Sequence, residues 1–170
     1  MTPQVLVLMG VSGSGKTTVA ERLAATLGWP FQEGDSLHPA ANVEKMRAGH
    51  PLTDEDRAPW LAIIAAWIDQ QLQAGEHGII TCSALKRSYR DLIAGGRPGV
   101  LVVYLHADRA SLEQHVRGRH HEFMPTTLLD SQLATLQEPT PDEHSIQVEV
   151  SGPIDETVSA IVRQLGLGTP

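Results

Sequence analysis

The chain has 170 residues and carries 20 acidic against 13 Lys and Arg side chains, a formal net charge of −7. Its length suits one domain with a sizeable core, and its acidity argues against broad nucleic-acid binding, which needs a basic surface. No stretch approaches the roughly 20 apolar residues that span a bilayer, no secretory leader is expected, and the single cysteine, Cys82, excludes an internal disulfide, so the expectation is a cytoplasmic protein without membrane or nucleic-acid partners.

Val5-Leu6-Val7-Leu8-Met9 is an unbroken apolar run. That pattern predicts a strand buried on both faces of a parallel sheet. Gly10-Val11-Ser12-Gly13-Ser14-Gly15-Lys16-Thr17 follows and fits G-x-x-x-x-G-K-[ST], the phosphate-cradling P-loop. Glycines let the backbone turn sharply and bring its N–H groups close to phosphate oxygens. Lys16 offers a mobile cation to the β- and γ-phosphates, and Thr17 offers a hydroxyl to Mg²⁺. Thr18 continues into a helix marked by Val19, Leu23 and Leu27, with Gly28 at its C-terminal end. Strand, glycine loop and helix in that order place the loop at a helix N-terminus, where the dipole favours anions. ATP and Mg²⁺ are the ligands this arrangement predicts.

Phe31 lies in a short second strand that ends at Glu33-Gly34-Asp35. Pro39 opens a small helix reaching about Ala48. A longer helix is expected from near Asp56 to Ala74, with Pro59 tolerated in its first turn and Leu61, Ile64, Ile68 and Leu72 on its apolar face. Gly78 to Cys82 reads as a third strand, Lys86 to Ala94 as a polar helix, and Val100 to Leu105 as a fourth strand. Asp108 or Ser111 caps the next helix. A further helix carries Leu129, Leu133 and Leu136, Ser145 to Val150 forms an edge strand, and a last helix buries Ile154, Val158, Ile161 and Leu165. Helices and strands alternate throughout, which predicts an α/β fold with a mainly parallel, five-stranded sheet flanked by helices.

In open α/β sheets ligands bind beyond the carboxyl ends of the strands, and the polar motifs fall there. Asp35, just past the second strand, is the candidate general base, since phosphoryl transfer to a hydroxyl needs a proton acceptor. Capping of the next helix is its simpler structural role. Arg57 sits in the acidic helix start Thr53-Asp54-Glu55-Asp56-Arg57, where the dipole disfavours a cation. It meets an anionic ligand or pairs with the neighbouring acids. Lys86 and Arg90 are four residues apart and are expected to share a helix face with Arg87 nearby. This basic cluster in an acidic chain points to an anionic small substrate. Arg117 and Arg119 flank Gly118, and arginines on a mobile segment close over ATP and stabilise the transferring phosphoryl group. No acidic residue ends the third or fourth strand, so Mg²⁺ is expected on Thr17, phosphate oxygens and water, with Asp35 reaching it through water. Cys82 reads as a small buried apolar residue.

Together with the P-loop, Glu33-Gly34-Asp35-Ser36-Leu37-His38-Pro39, Asn42-Val43-Glu44-Lys45-Met46 and Pro51 to Trp60 resemble the gluconate kinases of bacteria, as do Cys82 to Asp91 and Leu136-Gln137-Glu138-Pro139. The likeness runs from Met9 to about Val150. It implies ATP-dependent phosphorylation of D-gluconate at its C6 hydroxyl by a homodimer. It implies a fold like nucleoside monophosphate kinases, one P-loop kinase domain over residues 1–170, with a substrate-binding segment near 36–75 and a lid near 117–127. Carried over residue by residue, Asp35 is the base, and His38, Arg57, Lys86 and Arg90 are substrate contacts. Lys16 and a lid arginine, Arg119, which the sequence does not distinguish from Arg117, are the groups expected to act on the phosphoryl group, and by its position alone Gly152-Pro153 borders adenine. The alternatives are a shikimate or nucleoside monophosphate kinase and a non-catalytic ATP-binding module.

Overall fold

The computed structural model describes residues 4–11, 13–108, 110–112, 126–150 and 152–166. Five strands, β1 (Val5–Met9), β2 (Phe31–Glu33), β3 (Gly78–Thr81), β4 (Val100–His106) and β5 (Ser145–Glu149), form one sheet in the order β2-β3-β1-β4-β5. Every pairing in it is parallel. The expected mainly parallel, five-stranded sheet is therefore present. The three central strands are the unbroken apolar runs, because helices cover both of their faces.

Alternate residues of these strands feed two cores. Val5, Val7, Met9, Ile80, Val102 and Tyr104 face α3 (Asp54–Gln73) and α4 (Arg87–Ile93), meeting Trp60, Leu61, Ile64, Ile68, Tyr89 and Ile93. Leu6, Leu8, Ile79, Leu101, Val103 and Leu105 face α1 (Lys16–Leu27) and the C-terminal helix α6 (Ile154–Leu165). A smaller cluster of Val11, Leu85, Leu112 and Leu129 links the end of the P-loop strand to α5 (Thr126–Thr135). Helix α2 (Ala40–Arg47) begins after Pro39, as the sequence predicts, but a 3-10 turn at Gly34–Leu37 separates it from β2.

Two helix starts differ from expectation. Helix α3 begins at Asp54 because Thr53 and Asp56 form a reciprocal capping box. Pro59 therefore lies in the second turn, where the hydrogen bond it cannot make would have gone to the carbonyl of exposed Glu55. Helix α4 begins at Arg87, one residue late, leaving Lys86 in extended backbone. Asp108 Oδ1 accepts the Ser111 N–H at 2.8 Å and so serves as the cap of its helix. Ser12, Arg117 and Arg119, and most of the expected lid, lie outside the described residues.

Candidate active site

The loop after β1 is shaped by close backbone approach. A Cβ at Gly10 would sit 2.9 Å from the Leu105 carbonyl oxygen and 2.7 Å from Ser14 Oγ. Gly13 and Gly15 take left-handed φ values of 87° and 88°, conformations that side chains resist. Gly15 ends the loop at the start of α1, and no side chain caps that helix. Lys16 Nζ lies back on the loop, donating to the carbonyls of Gly10 at 2.8 Å and Val11 at 3.2 Å. The Ser14 hydroxyl is buried without a hydrogen-bond partner. Such a loop, with a helix N-terminus and a lysine, fits a polyphosphate.

Beside it stands a carboxylate, Glu33, that no local motif marks. Glu33 accepts hydrogen bonds from the Thr17 hydroxyl through one oxygen and from the Thr81 hydroxyl through the other. The register places Glu33 opposite Thr81, and Thr81 Oγ1 in turn accepts the Gly34 N–H at 3.0 Å. Gly34 is pressed onto β3, since a Cβ there would fall 1.7 Å from the Thr81 carbonyl oxygen. That contact fixes where the chain leaves β2 and so where Asp35 stands. Thr17 and Glu33 together offer the hard oxygen donors that suit Mg²⁺.

Lys16, Asp35, His38 and Arg57 line one cleft, with Ser83 from the end of β3 and Trp60 from α3. His38 stacks on Trp60, ring centroids 4.0 Å apart and planes within 17°. Trp60 is itself fixed by a 2.8 Å hydrogen bond from Nε1 to the Gly34 carbonyl. Burial, with the Arg57 charge second, pulls the His38 ring down to about 4, so it is neutral near pH 7. Stability linked to neutral His38 is fully present above its ordinary value of 6.5 and is lost as pH falls towards 4, where the unfolded chain binds the extra proton. Arg57 Nη1 donates to the Leu52 carbonyl at 2.8 Å and to Tyr89 Oη at 3.1 Å. The acids beside it are engaged elsewhere: Asp54 accepts from Tyr89 Oη and Lys86, and Asp56 accepts from Lys45. Among the described residues, the cleft lining thus holds the basic side chains Lys16 and Arg57 against one acidic side chain, Asp35, in an acidic chain.

A family model described as an AAA domain matches residues 5–139. A gluconokinase from Gluconobacter oxydans is 50% identical over 163 residues, covering 96% of this chain and 92% of its own. The chain belongs to the gluconokinase family. A gluconokinase structure from Sinorhizobium meliloti is 43% identical with a TM-score of 0.85, covering 97% of this chain and 93% of that one. A sugar kinase from Janibacter sp. HTCC2649 is 42% identical with a TM-score of 0.90, covering 98% and 96%.

Within this gluconokinase-family framework, two expected substrate contacts, Lys86 and Arg90, are not among the described residues that line the cleft. Lys86 and Arg90 do not share a face, because the late start of α4 leaves Lys86 ahead of the helix. Lys86 Nζ donates to Asp54 Oδ1 at 3.0 Å. Arg90 is 2% exposed and pairs with Glu143 at 2.6 Å through Nε. Its Nη1 donates at 2.8 Å to the carbonyl of Ala84, a residue held at a left-handed φ of 46°. Arg90 therefore braces the strained turn that carries Ser83 and Leu85 to the cleft. Removing Glu143 would strand a buried guanidinium, and Glu143→Ala is expected to destabilise the chain by about 3–5 kcal/mol in denaturant melts.

The remaining gluconokinase-like blocks also have structural work. Gln137 Oε1 accepts the Arg87 N–H at 3.0 Å and caps α4, while Glu138 accepts from Tyr104 Oη at 3.0 Å. Ser131, Gln132 and Thr135 of α5 line the cleft, although the sequence marked that helix only by its leucines. Cys82 is buried, and burial pushes its thiol up to about 12, which makes it inert packing. Ile154, which follows Gly152-Pro153, lies next to Gly15: a Cβ there would be 3.9 Å from Ile154 Cδ1.

Proposed function

We infer that this chain transfers the γ-phosphoryl group of ATP to the C6 hydroxyl of D-gluconate, giving ADP and 6-phospho-D-gluconate. The observation that carries the reading is that the P-loop lysine shares one cleft with Asp35, His38 and Arg57. The similar gluconokinase of Gluconobacter oxydans supports the choice of acceptor.

In this reading Gly10 to Thr18 wrap the phosphates, and Lys16 leaves the loop carbonyls to follow charge onto the γ-phosphoryl oxygens. Asp35 accepts the proton of the C6 hydroxyl as that oxygen bonds to phosphorus and the bridging oxygen departs on ADP. Arg57 meets the acceptor's carboxylate, with its guanidinium preset by Leu52 and Tyr89. His38 contacts acceptor oxygens. Thr17, with Glu33 through water, would hold Mg²⁺, which neutralises charge on the β- and γ-phosphates. Arg117 and Arg119 close over the donor. Lys86 and Arg90 act through Asp54 and the Ala84 turn, not by direct contact.

A homodimer and a cytoplasmic location belong to the same reading. No helix among the described residues is long and apolar enough to cross a membrane. Ile63 and Leu92 are large, exposed apolar residues on the adjoining helices α3 and α4, and sedimentation velocity decides whether a second copy is present.

The deciding experiment is coupled ADP detection with gluconate, shikimate, nucleoside monophosphates and no acceptor. Turnover is expected with gluconate alone, lost with EDTA and restored by Mg²⁺. Turnover with another acceptor instead would replace the substrate, and ATP binding without turnover would make the chain a binding module.

A further inference from the structure

We propose that Asn42 is a positioning residue that locks His38 as its Nε2–H tautomer, so that the ring acts in the cleft as a hydrogen-bond donor to an oxygen of the acceptor. The inference rests on the reading of the cleft as the acceptor site.

Asn42 is 4% exposed and lies in the first turn of α2, one turn after His38. Its side-chain nitrogen is 2.9 Å from the Asp56 backbone carbonyl and 3.2 Å from His38 Nδ1. The atom facing the carbonyl is the amide nitrogen, since an amide oxygen there would oppose another oxygen. The two amide hydrogens are then both committed, one to Asp56 and one to the ring. Nδ1 must accept, so it carries no proton, and in the neutral ring the proton resides on Nε2. Protonating the ring would set N–H against N–H.

The groups around the ring act in the same direction. Trp60 fixes the ring plane from α3. Lys16 from the P-loop and Arg57 from α3 line the same cleft as cations, with Asp35 as the carboxylate. Across from α2, the Asp56 carboxylate is taken up by Lys45 Nζ at 2.6 Å and the Thr53 N–H at 2.8 Å, leaving its backbone carbonyl to hold Asn42. Plane, rotation and tautomer are thereby set, and Nε2–H is the ring's remaining polar atom. A donor at that point donates to a hydroxyl or carboxylate oxygen and rejects an ammonium group, which would set donor against donor. This gives the site a means of choosing a hydroxy acid over its amino analogue.

Nitrogen-15 NMR of the ligand-free chain reads the tautomer directly. The expected spectrum shows Nδ1 unprotonated, Nε2 protonated and no His38 titration from about pH 5 to 8. Asn42→Asp presents an acceptor to Nδ1, and it is expected to move the proton there and to bring His38 titration into the neutral range. A second pair of variants needs no change at Asn42. The amide nitrogen of Gln reaches the place of Nε2, whereas that of Asn reaches the place of Nδ1. His38→Asn is therefore expected to raise KM for gluconate about tenfold more than His38→Gln does, the worth of one hydrogen bond, with KM for ATP little moved in either. A protonated Nδ1 in the unaltered chain, or His38→Asn performing as well as His38→Gln, would overturn the proposal. An unaltered chain that does not turn over gluconate overturns the acceptor reading instead, and the NMR spectrum still decides the tautomer.

Discussion

Asp35→Asn is expected to lower kcat for gluconate by about 100- to 10,000-fold, the range of a lost general base, while KM for ATP stays near its original value. The substitution is nearly isosteric and keeps a hydrogen-bonding group at the end of β2. What disappears is the capacity to take a proton. Asp35 is suited to the task by its setting, since Gly34 pins the backbone against Thr81 and Lys16 of the donor loop lines the same cleft. Steady-state kinetics with an unchanged melting temperature would separate this loss from misfolding. A variant within a few-fold of the original kcat would remove Asp35 as the base. It would leave the donor site intact, because the loose transition state of phosphoryl transfer asks less of a base than of positioning.

Lys16→Met should cost kcat about 1,000-fold, comparable to deleting a transition-state donor elsewhere. Met retains most of the aliphatic stem and loses only the charge. In the structure that charge rests on the Gly10 and Val11 carbonyls, while the turns of the loop fall at Gly13 and Gly15 with their left-handed φ. The fold should therefore survive, and circular dichroism with a melt checks this. Transfer at the original rate would contradict the assigned role of the lysine itself.

Much of the scaffold was legible because its strands are buried on both faces and read as plain apolar runs, and because the P-loop concentrates its chemistry in eight consecutive residues. Glu33 was not legible. Its partners, Thr17 and Thr81, are brought to it by the pairing of β2 with β3, and no local spacing encodes that register. The pairings of Lys86 and Arg90 are hidden for a related reason. The one-residue shift in the start of α4, fixed by Gln137 from 50 residues away, sends one side chain to Asp54 and buries the other on Glu143. The tie between Asn42 and His38 is near in sequence, yet its meaning depends on the Asp56 carbonyl on a different helix.

The strand order has a consequence for how this scaffold can diversify. The donor loop leaves β1 and Asp35 leaves β2, with β3 between them. Two strand spacings, roughly 9–10 Å, therefore separate the two departure points. That interval is set by backbone hydrogen bonds and works as a ruler no side-chain replacement can reset. Among the described residues, change in which hydroxyl compound is phosphorylated has to come from the segments that line the cleft, including the His38 turn, α2, α3, the Ser83–Leu85 turn and α5, which hang over a gauge of constant width.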